Sequence, residues 1–362
     1  MTGLGRHIAG LIAADGPIPV SEYMALCLFH PRHGYYTTRE PFGARGDFIT
    51  APEVSQMFGE LVAVWLYQAW IANGRPLPVT VAEIGPGRGT LMKDMLRTWA
   101  RLDPAFFAEA RFALIETSPR LTEIQRETLG AVAERVTWHE TVATLPHAPL
   151  LIVGNELFDA VPVRQFVRTA SGWRERMVGL DEAGRLAFFA GAASLDPSLL
   201  PADAGTAPEG AIVELAPARS ALMADIAARI AARGGAGLFI DYGYLEAGVG
   251  DTLQALKDHA PDDVLAHPGE ADLTTHVDFA ALGGVARAHG LKVSTATQGA
   301  FLLAMGLLER AGRLGADADE AARQAITAQV ERLAAPDQMG DLFKVLAVLP
   351  KDAADVPFPA RD

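Results

Sequence analysis

An acidic residue closes an apolar run and three glycines follow it at alternating positions, in Val81-Ala82-Glu83-Ile84-Gly85-Pro86-Gly87-Arg88-Gly89-Thr90. Glycine admits positive φ and lets a ligand lie against bare backbone. The helix expected next, Leu91 to Trp99, would aim its unsatisfied N–H groups at that ligand. A triphosphate loop needs a Gly-Lys-Ser/Thr ending, and the lysine is absent here. A dinucleotide fingerprint spaces its last two glycines three apart, whereas Gly87 and Gly89 are two apart. Glu83 would repel phosphates but would attract a ligand carrying an ammonium group.

Glu116 ends the next apolar run, where a carboxylate can accept hydrogen bonds from both hydroxyls of a ribose. An ammonium and a ribose together suit a ligand such as S-adenosylmethionine; the alternative for Glu116 is a solvent-facing or helix-capping residue. A third constellation, Gly154-Asn155-Glu156-Leu157-Phe158-Asp159-Ala160-Val161-Pro162, follows a fully apolar run. Methyl transfer is an in-line displacement, so the protein must align, desolvate and steer the nucleophile. Asn155 is suited to positioning cofactor or acceptor. Glu156 suits a cationic nucleophile, because carboxylate and guanidinium pair in bidentate fashion. An arginine must also lose a proton around the transfer, which a nearby carboxylate assists. Asp159 is either a second such group or the cap of the next turn. The catalytic candidates are therefore Glu156 and Asp159. The cofactor-binding candidates are Glu83, Gly85, Gly87, Gly89, Glu116 and Asn155, joined by Asp47 and Thr50 from the loop Gly43 to Glu53. That loop is either a lid over the cofactor or plain surface. His276 and Asp278 are two apart, but no tight metal-ligand set is visible in the sequence.

These residues need a frame. Residues 78–155 alternate strand and helix, with strands at Val79 to Glu83, Arg111 to Glu116, Val136 to Trp138 and Leu150 to Val153. Such alternation predicts a parallel α/β sheet covered on both faces. After Pro162 the pattern changes to antiparallel strands at Val163 to Val167, Trp173 to Val178 and Leu186 to Phe189. A Pro/Gly/Ala-rich stretch, Ser194 to Gly210, reads as loop. Gly237 to Asp241, Leu291 to Thr297 and Leu342 to Leu349 return to the strand pattern, with a helical excursion over Phe301 to Leu333. The segmentation this suggests is an N-terminal helical and loop region (1–75) covering the cofactor, a main domain (76–350) with insertions at about 163–215 and 299–338, and a tail (351–362).

The chain has 362 residues and a formal charge of −13. No basic run concentrates positive charge, so nucleic acid is not an expected partner. One cysteine, Cys27, excludes an internal disulfide or a cysteine-rich metal site and fits a reducing compartment. No stretch approaches 18 uncharged apolar residues, which argues against a membrane span, and no secretory leader is seen. The expected location is the cytoplasm of a bacterium.

Several blocks occur in order: Tyr23-Met24, His30-Pro31, Gly34-Tyr35-Tyr36, Gly46 to Glu53, Glu83 to Leu91, Asn155 to Pro162, Asp241-Tyr242-Gly243, Gly250 to Leu253, Gly269 to Thr274 and Met339-Gly340. With these the chain resembles the MidA-like methyltransferases over nearly its whole length. That family includes the mitochondrial complex I assembly factor that methylates an arginine of a core subunit. The resemblance implies a class I (Rossmann-like) methyltransferase fold, a seven-stranded mostly parallel sheet with added elements. It further implies S-adenosylmethionine as donor and a protein arginine as acceptor, possessed by a subunit such as one of complex I. Two other readings remain open at this point: a methyltransferase acting on a small molecule, and a non-catalytic S-adenosylmethionine-binding assembly factor.

Overall fold

The computed structural model describes residues 2–38 and 50–359. Asp47, with most of the loop expected to cover the cofactor, lies outside them. The chain forms two compact units. One comprises 1–48, 158–221 and 246–278, the other 49–157, 222–245 and 279–362.

The second unit is built on seven strands: β1 (Thr80–Ile84), β2 (Arg111–Ile115), β3 (Val136–His139), β4 (Leu150–Asn155), β5 (Gly235–Tyr244), β6 (Leu291–Thr297) and β7 (Phe343–Pro350). Their order is β6-β7-β5-β4-β1-β2-β3. The pairs from β5 through β4, β1 and β2 to β3 are all parallel. β7 alone is reversed, antiparallel to both β5 and β6. This is the mostly parallel α/β sheet expected from the sequence. β1 and β4 are buried at every residue, as strands covered on both faces must be, which is why Leu150 to Val153 reads as an unbroken apolar run and why β1 buries even Thr80 and Glu83. Gly154 in β4 shows how closely they pack: a Cβ there would meet Leu157 at 3.0 Å and both Ile84 and Phe239 at 3.3 Å.

Helix Gln56–Ala72 belongs to this unit. It buries Met57, Phe58, Leu61, Val62, Trp65, Leu66 and Ala69 in the same core as Val81, Val153 and Ile240. It packs on helix Thr90–Leu102, where the Trp99 indole N–H donates to the Ala63 carbonyl at 2.9 Å. Ala51–Val54 forms a separate short helix before Gln56–Ala72, because Ser55 is extended (φ −159°) and its hydroxyl caps Gln56–Ala72 by accepting from Met57 N–H. The helical excursion is three helices, Gln298–Ala304, Leu307–Gly315 and Glu320–Ala334. Arg310 fixes it to helix Gln56–Ala72, donating from Nε at 2.6 Å and Nη2 at 3.0 Å to the carboxylate of Glu60.

The first unit holds helices Gly3–Asp15 and Val20–Phe29 and the antiparallel strands Arg164–Thr169, Gly172–Leu180 and Leu186–Ser194. Ile212–Leu215, which the sequence reading missed, pairs with Arg164–Thr169. A small sheet of Gln254–Lys257, Ala260–Asp262 and Asp272–Thr274 completes it. Leu4, Ile8, Tyr23 and Cys27 share one core with Val163, Val178 and Leu273. The units therefore divide the chain differently from the 1–75, 76–350 and 351–362 segmentation. The N-terminal helices bury their apolar faces on strands distant in sequence, while Gln56–Ala72 buries its own on the parallel sheet.

Candidate active site

In the parallel set, the carboxyl ends of β1, β2 and β4 are aligned by register. Glu83 lies opposite Leu114 and Val153, Ile84 opposite Ile115, and Asn155 opposite Ile240. In open sheets ligands bind beyond these ends. Glu83, Gly85, Gly87, Gly89, Glu116, Asn155 and Glu156 all fall on this edge of one unit.

Gly85, Gly87 and Gly89 adopt φ of +66°, +51° and +85°. A Cβ at Gly85 would meet Leu157 Cδ1 at 3.0 Å. Gly89 is the left-handed cap of helix Thr90–Leu102, a conformation costing an L side chain about 1–2 kcal/mol. Glu83 is 3% exposed. Burial pushes its carboxyl well above the usual range, with the Met92 N–H pulling the other way. Its Oε2 has no hydrogen-bond partner among the described residues, and neither does Oδ1 of Asn155. Two buried acceptors beside a bare glycine backbone suit a ligand that brings an ammonium and other donors. The residues present thus fit the amino-acid end of S-adenosylmethionine.

Glu116 hooks back on its own chain. Oε1 accepts from the Ser118 N–H at 2.7 Å and Oε2 from the Gln125 amide at 3.1 Å. Burial raises its pKa, and these donors oppose the rise. A carboxylate has about four acceptor sites, so both oxygens keep capacity for ribose hydroxyls. Gln125 was not singled out from the sequence; its only signal was a polar residue on an otherwise ordinary amphipathic helix.

Asn155 donates through Nδ2 to Glu156 Oε1 at 2.9 Å. Glu156 N–H donates to the Ile240 carbonyl at 2.8 Å, and its φ is +51°. A non-glycine residue held there costs on the order of 1–3 kcal/mol, and such strain gathers at functional sites. Thr50 caps helix Ala51–Val54 through its carbonyl, which accepts from Glu53 and Val54 N–H. That helix reaches the glycine turn through Glu53, whose Oε1 accepts from the Thr90 hydroxyl at 2.5 Å. Asp159 belongs to the other unit. It is 6% exposed, and its carbonyl accepts from Arg219 Nη2 at 3.1 Å and Thr275 N–H at 3.2 Å.

Comparison with known proteins agrees with this geometry. A family model described as S-adenosyl-L-methionine-dependent methyltransferase matches residues 61–297. The chain belongs to that family. Curated relatives include protein arginine methyltransferase NDUFAF7, mitochondrial, of Mus musculus, 36% identical over 97% of this chain and 85% of the relative. The same protein of Homo sapiens is 35% identical, covering 97% and 84%. A crystal structure of a COG1565 superfamily member from Burkholderia thailandensis, described as a likely methyl transferase and bound to S-adenosyl-homocysteine, superposes with a TM-score of 0.83 at 31% identity, covering 98% of this chain and 93% of that one. The protein is thus an S-adenosylmethionine-dependent methyltransferase with the class I fold. One expectation is overturned: relatives matching nearly the whole chain are named as mitochondrial, so the cytoplasmic placement does not stand. Bulk composition, on which that placement rested, carries no cellular address. Among the described residues no helix is long and apolar enough to cross a membrane.

Proposed function

We propose that this methyltransferase modifies an arginine side chain of a protein, and that the protein is a subunit of respiratory complex I. Glu83 takes the ammonium of the donor and Glu116 its ribose hydroxyls, while Gly85, Gly87 and Gly89 let the ligand lie against the backbone. Asp47 and Thr50 are assigned to the same cofactor grip. S-adenosylmethionine would supply, when bound, a methyl group from its sulfonium sulfur, the methyl–sulfur bond breaking to leave the thioether of S-adenosylhomocysteine. Glu156 pairs with the incoming guanidinium and turns one nitrogen toward that methyl. Arginine stays protonated in water, so the nitrogen that gains a carbon must give up a proton. The Glu156 carboxylate accepts it. Asn155 holds that carboxylate in place through its amide. Asp159 is the second carboxylate for acceptor recognition, its backbone anchored by Arg219 and Thr275.

The observation that carries the acid–base assignment is the left-handed Glu156, strained yet tied to Asn155 and Ile240 at the end of β4. The arginine acceptor is supported by the names of the relatives, and complex I by the family resemblance. Glu156→Gln keeps the shape and the bond to Asn155 but removes the base. It should bind S-adenosylhomocysteine normally and lose transfer by about 10²–10⁴-fold. Full turnover in a radiolabelled methyl-transfer assay would remove the role assigned to Glu156.

A further inference from the structure

The buried amide of Gln125 joins three parts of the candidate cofactor site. Gln125 is 0% exposed and sits on helix Pro119–Leu129, which Ser118 caps by accepting from Leu121 N–H. Its Nε2 donates to the Gly87 carbonyl at 2.8 Å and to Glu116 Oε2 at 3.1 Å. Its Oε1 accepts from the Trp138 indole N–H at 2.9 Å. The orientation of this amide follows from chemistry alone. An indole N–H can only donate, so it must face the amide oxygen; a carbonyl and a carboxylate only accept, so they must face the nitrogen. Every polar atom of the amide is thereby engaged in one arrangement. Trp138 is itself held by Arg126, whose guanidinium lies 3.9 Å over the ring. The glycine turn packs directly on the same residue, since a Cβ at Gly89 would lie 3.5 Å from Gln125 Cα.

We propose that Gln125 is a positioning residue that sets the ribose grip: it fixes the Glu116 carboxylate and the glycine turn relative to one another, with Trp138 locking its orientation. The proposal rests on the reading of Glu116 as the carboxylate that takes the ribose hydroxyls. A residue acting this way matters more for ligands that bear those hydroxyls than for ligands that lack them, which separates it from one that merely fills space.

The test measures, by calorimetry on the full chain, affinity for S-adenosylhomocysteine and for its analogue lacking the 2′- and 3′-hydroxyls. Gln125→Met preserves volume and removes both anchors. It should weaken S-adenosylhomocysteine about tenfold or more, as befits loss of a hydrogen bond to a charged group, while weakening the analogue distinctly less. Trp138→Phe removes only the lock and should shift the same preference less, so the proposal does not depend on one variant folding. Glu116→Gln should abolish the preference, and adding Gln125→Met to it should cost little more, because the two act as one unit. If the Gln125 and Trp138 variants weaken both ligands equally, or neither, Gln125 is only packing and the proposal is overturned. If Glu116→Gln keeps the wild-type preference for ribose hydroxyls, the reading of Glu116 fails and the proposal falls with it.

Discussion

Glu83 is a carboxylate enclosed by protein before any ligand arrives, and that fixes how cofactor binding depends on pH. In the free chain burial holds its pKa well above the usual value. Over the range between those two values the free site keeps a proton that an ammonium ligand must displace. Affinity for S-adenosylhomocysteine should therefore fall as pH drops through this range, and binding there should release a proton. Glu116, also raised by burial, adds a smaller contribution. Calorimetry in buffers of different ionisation enthalpy reads the proton count directly. Glu83→Gln should bind more weakly and release fewer protons than wild type; equal release in both would show that Glu83 is not the ammonium partner. At this scale the sequence was informative wherever a residue type narrows the chemistry. Glu83 and Glu116 could be selected because acids at strand ends beside glycines are chemically pointed. Gln125 could not, because an amide on an amphipathic helix announces nothing until its three partners are brought together.

The elements explain why these residues converge. Runs such as Leu150 to Val153 and Val79 to Glu83 are continuous because both faces of the sheet are covered, and glycines punctuate them, so the alternation of strand and helix could be read directly. Strands of three or four residues lying outside the regular strand–helix alternation carry no usable period. Ile212–Leu215 and the small sheet of Gln254–Lys257, Ala260–Asp262 and Asp272–Thr274 were for that reason invisible. The helical excursion is held by a bidentate pair whose carboxylate, Glu60, is buried to 9% exposure. Arg97 is a weaker second partner at 3.5 Å. Arg310→Met should strand that carboxylate and cost about 1–3 kcal/mol in urea denaturation. Adding Glu60→Gln should restore part of the loss. An unchanged midpoint in the single variant would mean that the pair contributes nothing to stability.

For the whole molecule, the division into units follows contacts that sequence order conceals: residues 1–48, 158–221 and 246–278 assemble from three stretches separated by parts of the parallel sheet. The cofactor candidates Glu83, Glu116 and Asn155 lie in one unit, and Asp159, assigned to the acceptor, in the other. Fold and cofactor follow from the family and the sheet edge, whereas the acceptor depends on the Glu156 reading and on what the relatives are named for. The proposed methylation of an arginine in a complex I subunit is decided by peptide mapping, with mass spectrometry, of complex I subunits from cells with and without this gene. An arginine bearing one or two methyl groups in the parent and none in the deletion, restored by the wild-type chain but not by Glu156→Gln, is the predicted result. Identical arginine methylation of every complex I subunit in both cells would contradict it.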